Sequence, residues 1–308
     1  MDKKIFRSNG LLVLTAAIWG LAFVAQRAGM EHVGPFTYNG IRFALGSLSL
    51  IPLLFLIRKQ EQKYNFSLAG AKTVFFSGLM LGLVLFTAAS LQQVGLVYTT
   101  AGNAGFITGL YVVLVPILGL LWKQASDSGT WIGAGLAAVG LYFLSVTDSF
   151  SIAFGDLLEL AGAFFWAGHV LLIAWLSPKI NPIRLSFVQF VICSVLSLLT
   201  AFVFEEISLQ GILDAAVPIL YGGFCSVGIA YTLQVVAQKY AKPAHAAIIL
   251  SMESPFAAIG GWLILNEILS GRSLFGCALM LAGMLISQLW PYILRSFFRK
   301  SEAVLQND

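Results

Sequence analysis

Apolar residues fill this chain in runs of about 20, the length a helix needs to cross a bilayer. Short polar or basic stretches separate the runs. Ten can be placed, at roughly 9–29, 35–57, 71–93, 98–122, 129–147, 155–177, 183–204, 213–237, 242–266 and 273–294. The pattern predicts an all-α membrane protein with ten transmembrane helices. Several connections are very short, such as Gly95-Leu96-Val97 leading into Tyr98, which favours antiparallel packing of neighbours. Small residues recur four apart, as in Gly78/Gly82 and Gly105/Gly109, and let helices approach closely in lipid.

The runs repeat. Adding 147 to the numbering carries Trp19 onto Trp166, Pro35 onto Pro182, Phe43 onto Phe190 and Ser47 onto Ser194. Adding 142 carries Leu91-Gln92 onto Leu233-Gln234, Tyr98 onto Tyr240 and Ile107 onto Ile249, and adding 143 carries Gly133 onto Gly276 and Gly140 onto Gly283. The offset changes where the second half has the shorter loop, about 205–212 against about 58–70. Two five-span units result, 9–147 and 155–294, followed by a short tail at 295–308. An odd number of crossings makes the second unit enter from the opposite face. Inverted repeats of this kind let a central site open alternately to either side, as in many secondary transporters.

Composition agrees with the pattern. The 308 residues are 58% hydrophobic and 10% charged, with mean hydropathy +0.87, whereas soluble domains carry about 25% charged residues. The net charge of +4 does not point to nucleic acid, because the basic residues lie between the spans. With the N-terminus inside, the inner segments collect Lys3, Lys4, Arg7, Arg58 and Lys59, then further lysines and arginines down to Lys300. The outer segments keep only Arg27 and Arg272, and carry Glu31, Asp148, Asp156, Glu205, Glu206, Asp214 and Glu267. This bias predicts that both termini are cytoplasmic. The N-terminal MDKKIFRSNG runs into a span with no small-residue cleavage signature. Cys193, Cys225 and Cys277 sit in apolar runs without ligand spacing, so neither a disulfide framework nor a zinc site is expected.

The doubled unit carries further motifs: tryptophans at AAIWGLAF and FFWAGHV, an arginine at YNGIRFALG, and the run AGFITGLYVVLVP. With AAIILSMESPFAAIGGWLILNE and the glycine-spaced GCALMLAGML, the chain resembles the EamA branch of the drug/metabolite transporter superfamily over about 10–295. The resemblance implies ten helices in two inverted five-helix repeats. It also implies transport of amino acids, other small metabolites or drugs, often outward. Two positions depart from the family pattern. Gln124 stands where a glutamate often ends the fourth helix, although Glu267 keeps its counterpart in the ninth. Glu253-Ser254-Pro255 replaces the common Glu-Pro.

An ionisable side chain deep in hydrocarbon costs about 2.5–3.5 kcal/mol and needs a partner or a wet cavity. Arg42 lies in the second span, Glu253 in the ninth and His169 in the sixth. Glu159 is close enough to its helix end to snorkel to water. Arg42 can fork onto a substrate carboxylate, or it can pair with Glu253 or carbonyls and merely hold helices together. Glu253 can meet a substrate amine or exchange a proton, and Pro255 disturbs the helix beside it. His169 is a second candidate for proton coupling, or else a neutral hydrogen-bond partner. Trp19 and Trp166 can wall a cavity against an amine or apolar group, or simply pack. Gln92 and Gln234 are the repeat-related polar pair expected at the substrate site.

The expectation is a secondary transporter of the bacterial cytoplasmic (inner) membrane, exporting an amino acid or related small amphipathic metabolite with protons as the coupling ion. Its partners are a small-molecule substrate and the bilayer; no cofactor or metal is expected. The alternative is an exporter of lipophilic drugs or organic cations. No phosphate-cradling glycine loop suggests direct ATP drive. No cluster of histidines and acids at one interface suggests a membrane enzyme.

Overall fold

The computed structural model describes residues 3–64, 70–99, 101–145, 154–265 and 270–305, and all of their regular structure is helical. The first half contains α1 (Lys3–Met30), α2 (Pro35–Tyr64), α3 (Ala71–Tyr98), α4 (Ala101–Gly109), α5 (Tyr111–Leu121) and α6 (Ser128–Ser145). The second half begins with α7 (Phe154–Leu176), α8 (Pro182–Phe204), α9 (Leu209–Asp214) and α10 (Ala216–Leu220). A π-helical stretch, Tyr221–Tyr231, leads into α11 (Thr232–Gln238), and α12 (Pro243–Leu250), α13 (Glu253–Leu265) and α14 (Gly271–Leu305) complete the chain. Helix α14 therefore runs through most of the stretch read from sequence as a tail. Asp148, Glu267 and the end of the first unit at 147 lie outside the described residues.

Among the described residues, eight helical stretches are long and apolar enough to cross a membrane. They match the expected spans except the fifth and the ninth. In place of the fifth is a shorter apolar helix, Ser128–Leu144. The ninth is divided into α12 and α13 by a turn at Ser251–Met252. Local chemistry explains the division. The amides of Met252 and Ser254 bond to Ile249 and Ser251 in tight i→i−3 fashion, and the Ser251 hydroxyl donates to the Ile248 carbonyl. Pro255 has no amide hydrogen and falls in the first turn of α13, where none is needed. The fourth span has a milder break at Leu110, between α4 and α5.

Close contacts between helices follow the glycines. Helix α6 packs along α14, with Gly133 against Gly283 and Gly140 against Gly276. Rising numbers on one helix meet falling numbers on the other, so the pair is antiparallel. A Cβ on Gly133 would stand 2.6 Å from the Gly283 carbonyl oxygen, and one on Gly140 the same distance from that of Gly276. Gly78 and Gly82 of α3 likewise receive Val188 and Ile192 of α8.

Polar side chains close the helix ends. Asn181 accepts from the amides of Ile183 and Arg184 at the start of α8, with Pro182 in the first turn. Glu205, just past α8, caps α2. Its carboxylate accepts from the Phe36 amide (2.7 Å), the Thr37 amide (2.8 Å) and the Thr37 hydroxyl (2.7 Å). At the end of α5, Lys123 takes a left-handed conformation (φ 56°), and the Lys123 and Gln124 amides close onto the carbonyls of Leu120 and Gly119.

Candidate functional site

Helices from both halves converge on one central cavity. It is lined by Trp19, Phe23 and Gln26 of α1, Arg42 of α2 and Gln92 of α3, with Thr108 and Tyr111 flanking the α4/α5 break. Trp166 and Val170 of α7, Ser226 and Tyr231 of the π-helical stretch, Gln234 of α11, Leu250 of α12 and Glu253 of α13 complete the wall. About 40 Å³ is open to the centres of water molecules. That admits a few waters at roughly 10–15 Å³ each. The cavity is thus tighter than an amino acid requires.

Six of the seven expected site residues, Trp19, Arg42, Gln92, Trp166, Gln234 and Glu253, lie on this wall. Both repeat-related pairs, Trp19 with Trp166 and Gln92 with Gln234, are brought together. The seventh, His169, is fully buried one layer behind, with Nε2 2.9 Å from Gln189 Oε1 and no partner for Nδ1. Its ring meets Trp166 and Tyr231 edge-on.

Arg42 and Glu253 supply the opposite charges, and no ion pair joins them among the described residues. The Arg42 side chain is 2% exposed, its Nε has no hydrogen-bond partner, and its guanidinium carbon lies 5.3 Å and 5.1 Å from the Tyr38 and Phe43 ring centroids. Cation–π attraction of this kind is strongest where water is excluded. Glu253 begins α13, and its Oε1 accepts from the Tyr111 hydroxyl at 3.3 Å.

Tyr231 organises the aromatic part of the wall. Its ring lies 4.5 Å from Trp19 and stacks at 6.2 Å on Trp166, with an interplanar angle of 23°. Phe43 and Phe190, themselves 6.1 Å apart, also pack against it. Trp19 Nε1 donates to the Ser226 carbonyl (3.3 Å), whereas the buried Trp166 Nε1 has no partner. Sequence reasoning passed over Tyr231, Ser226 and Thr108. Tyr231 lies three residues before Gln234, a same-face helical spacing that could have identified it.

Glu159 departs from expectation. Instead of snorkelling it is fully buried, because the first turns of α7 pack onto the end of α3 and onto α4.

A second cavity, of about 250 Å³, lies where the α5–α6 connection meets the start of α12, lined in part by Asp127, Thr130, Lys242 and His245. Asp127 caps α6 through the Thr130 amide (2.8 Å) and hydroxyl (2.9 Å). The His245 Nε2 lies 2.9 Å from the Thr130 hydroxyl and 3.9 Å from Asp127 Oδ2. Desolvation pushes the Asp127 carboxyl up, but the two Thr130 bonds with the charges of His245 and Lys242 outweigh it and hold the group below its ordinary value.

Comparison with known proteins decides the family. The EamA-like transporter family matches residues 7–146 and again 153–289. The chain belongs to the EamA-like transporter family. It is thus a multi-pass membrane protein of a transporter family. An uncharacterized transporter from Archaeoglobus fulgidus is 34% identical to this EamA-like chain over 288 residues, covering 93% of it and 87% of the relative. A "probable amino-acid metabolite efflux pump" from Salmonella typhimurium is 22% identical over 298 residues, covering 91% and 95% respectively. A solved crystal structure of a protein shares the fold with TM-score 0.76 at 18% identity, over 94% of this EamA-like chain and 99% of its own.

Proposed function

We propose that this EamA-like chain is a secondary transporter that exports an amino acid or related small amphipathic metabolite by alternating access. In this reading ten helices cross the membrane as two inverted five-helix repeats, 9–147 and 155–294. Helix α6 and the α12–α13 pair supply the fifth and ninth crossings. The protein sits in a bacterial cytoplasmic membrane with both termini inside, in keeping with the bias of its basic residues. The relative described as an amino-acid metabolite efflux pump supports both the substrate class and the direction.

The observation that carries this reading is the placement of Arg42 and Glu253, unpaired with each other, on the wall of one cavity. A substrate with a carboxylate and an amine satisfies both charges, and the Trp19–Tyr231–Trp166 cluster accepts its apolar part. The tight cavity is a closed state, and substrate enters when the two halves part. Glu253 is assigned the coupled proton, with His169, behind the wall, as the second candidate. The aromatic cluster beside Glu253 also favours one rival reading, export of lipophilic drugs or organic cations, in which Arg42 only holds helices together.

Thermal unfolding of the detergent-purified protein against amino acids and lipophilic cations separates the two. A ligand that binds only the folded state stabilises it by about 2.7 kcal/mol at a hundredfold excess over Kd. Amino acids should raise the unfolding temperature of the wild type but not of Glu253→Gln. Arg42→Lys, which keeps the charge and loses the fork, should bind them more weakly. Stabilisation by cations alone would sink the amino-acid reading.

A further inference from the structure

Glu159 is a buried acid for which the proposed cycle has no use. Thr108 Oγ1 donates to its Oε2 at 2.5 Å, and its Oε1 has no hydrogen-bond partner. Gly95 of α3 closes over Oε1; a Cβ there would stand 2.7 Å from it. Among the described residues, the packed elements bring it no countercharge. Helix α4 has no ionisable residue, α3 has Tyr98 and, at its far end, Lys72, and α5 has Tyr111. On α7 itself the titratable groups are Asp156, which accepts from the Thr99 hydroxyl, and His169. A carboxylate ionised in such a place is an uncompensated buried charge, which costs several kcal/mol. The neutral acid avoids that cost.

Fold alone does not require an acid here. The equivalent position in the first half (159 − 147 = 12) is Leu12, also fully buried. Thr108 connects Glu159 to the transport site, because the same residue lines the central cavity. Three residues on, past the break at Leu110, Tyr111 holds Glu253. One break thus holds two buried carboxyl groups, each bonded to a hydroxyl on the cavity wall.

We propose that Glu159 is a second exchangeable proton site of this carrier, reached from the central cavity through Thr108. In release, the Thr108 hydroxyl first rotates from Oε2 toward cavity water. The Oε2–H bond of the acid then breaks, its proton passes to Thr108 Oγ1, and the original hydroxyl proton passes to the water, leaving the carboxylate behind. Loading is the reverse. The assignment rests on the transport reading for its purpose, but its test needs no substrate.

Infrared spectra of the purified protein at neutral pH, taken in water and after transfer to D2O, supply that test. A protonated-carboxyl carbonyl band should appear in wild type and in Glu253→Gln, shift in D2O, and be lost when Glu159→Gln is added to Glu253→Gln. Thr108→Val should keep the band and slow its shift by at least about tenfold, the effect of removing one relay hydrogen bond. If wild type and Glu159→Gln have the same spectrum, the site holds no proton and the proposal falls. It also falls if the band shifts as fast in Thr108→Val as in wild type, a comparison that stands even if Glu159→Gln does not fold. The transport reading is judged separately, by the thermal response of Glu253→Gln to amino acids.

Discussion

Tyr111 and Glu253 are hydrogen-bonded to each other at 3.3 Å and lie 142 residues apart, the interval that relates Gln92 to Gln234. Each begins the second segment of a broken helix, α5 after the break at Leu110 and α13 after the turn at Ser251–Met252. Corresponding positions in the two halves therefore carry a phenol and a carboxyl, and the two meet at the cavity. The two repeats are therefore asymmetric at this point of the cavity wall.

This contact predicts the behaviour of Tyr111→Phe. The ring stays in place and only the hydroxyl is lost, leaving Glu253 Oε1 without the donor that orients it. A hydrogen bond to a charged group contributes about 1.5–3 kcal/mol. We expect the free protein to unfold at a lower temperature, and Kd for the amino acids that stabilise the wild type to rise about tenfold. Unaltered affinity in a thermal-shift titration would show that the phenol does not act on Glu253.

The glycine contacts between α6 and α14 predict a large difference between two substitutions within one helical turn. Gly133→Ala drives a methyl group to within 2.6 Å of the Gly283 carbonyl oxygen. Backbone atoms cannot rotate aside, so the helices have to separate, at about 1–3 kcal/mol. Nothing lies within 4 Å of a Cβ at Gly135, and alanine there should be neutral or gain up to about 1 kcal/mol in helix propensity. Thermal unfolding of the two variants side by side measures the difference. Equal unfolding temperatures would show that this helix contact is looser than described.

Much of this architecture was legible in the sequence because bilayer physics is strict. A run of twenty apolar residues in lipid has few alternatives to a helix, and a polar residue inside one has few alternatives to a shared cavity. Arg42 and Glu253 stood out on that ground, and Trp19, Trp166, Gln92 and Gln234 because the repeat pairs them; all six line the cavity. Helix interruptions were less visible. Pro255 signalled a disturbance, but the turn lies three to four residues earlier, where Ser251 and Met252 carry no breaking signature. Tyr231 was missed because the repeat offers it no counterpart, Ala89 standing 142 residues earlier. Glu159 was misjudged because distance from a helix end says nothing of what packs over it, and here the end of α3 and α4 cover it.

The Glu205 cap links the two halves and can be tested directly. Three donors at the start of α2 converge on this one carboxylate, and the helix dipole there favours negative charge. Glu205→Ala should destabilise by about 0.5–2 kcal/mol, as for other lost N-caps. Glu205→Gln retains one acceptor oxygen and should recover part of the loss. An unfolding temperature for Glu205→Ala equal to that of wild type would show that water replaces the carboxylate at no cost.

Asp127 gives a pH dependence whose sign follows from its environment. Its carboxyl is held below the ordinary value of 3.8 by the Thr130 amide and hydroxyl and by the charges of His245 and Lys242. A group whose pKa is lower folded than unfolded stabilises the fold above the unfolded value. That contribution disappears as pH falls through the folded value. Asp127→Asn keeps an oxygen that can cap α6 and removes only the charge. The wild type should therefore unfold at a higher temperature than Asp127→Asn at neutral pH, by a margin that widens wherever His245 takes up its proton and pairs with the carboxylate. The margin should shrink below about pH 4, as the carboxylate takes up its proton. The group is partly exposed, so added salt should also narrow the margin at neutral pH. A margin that still grew below about pH 4 would mean that the folded state holds the Asp127 proton more tightly than the unfolded chain does. The cap and the His245 contact would then be too weak to offset its desolvation.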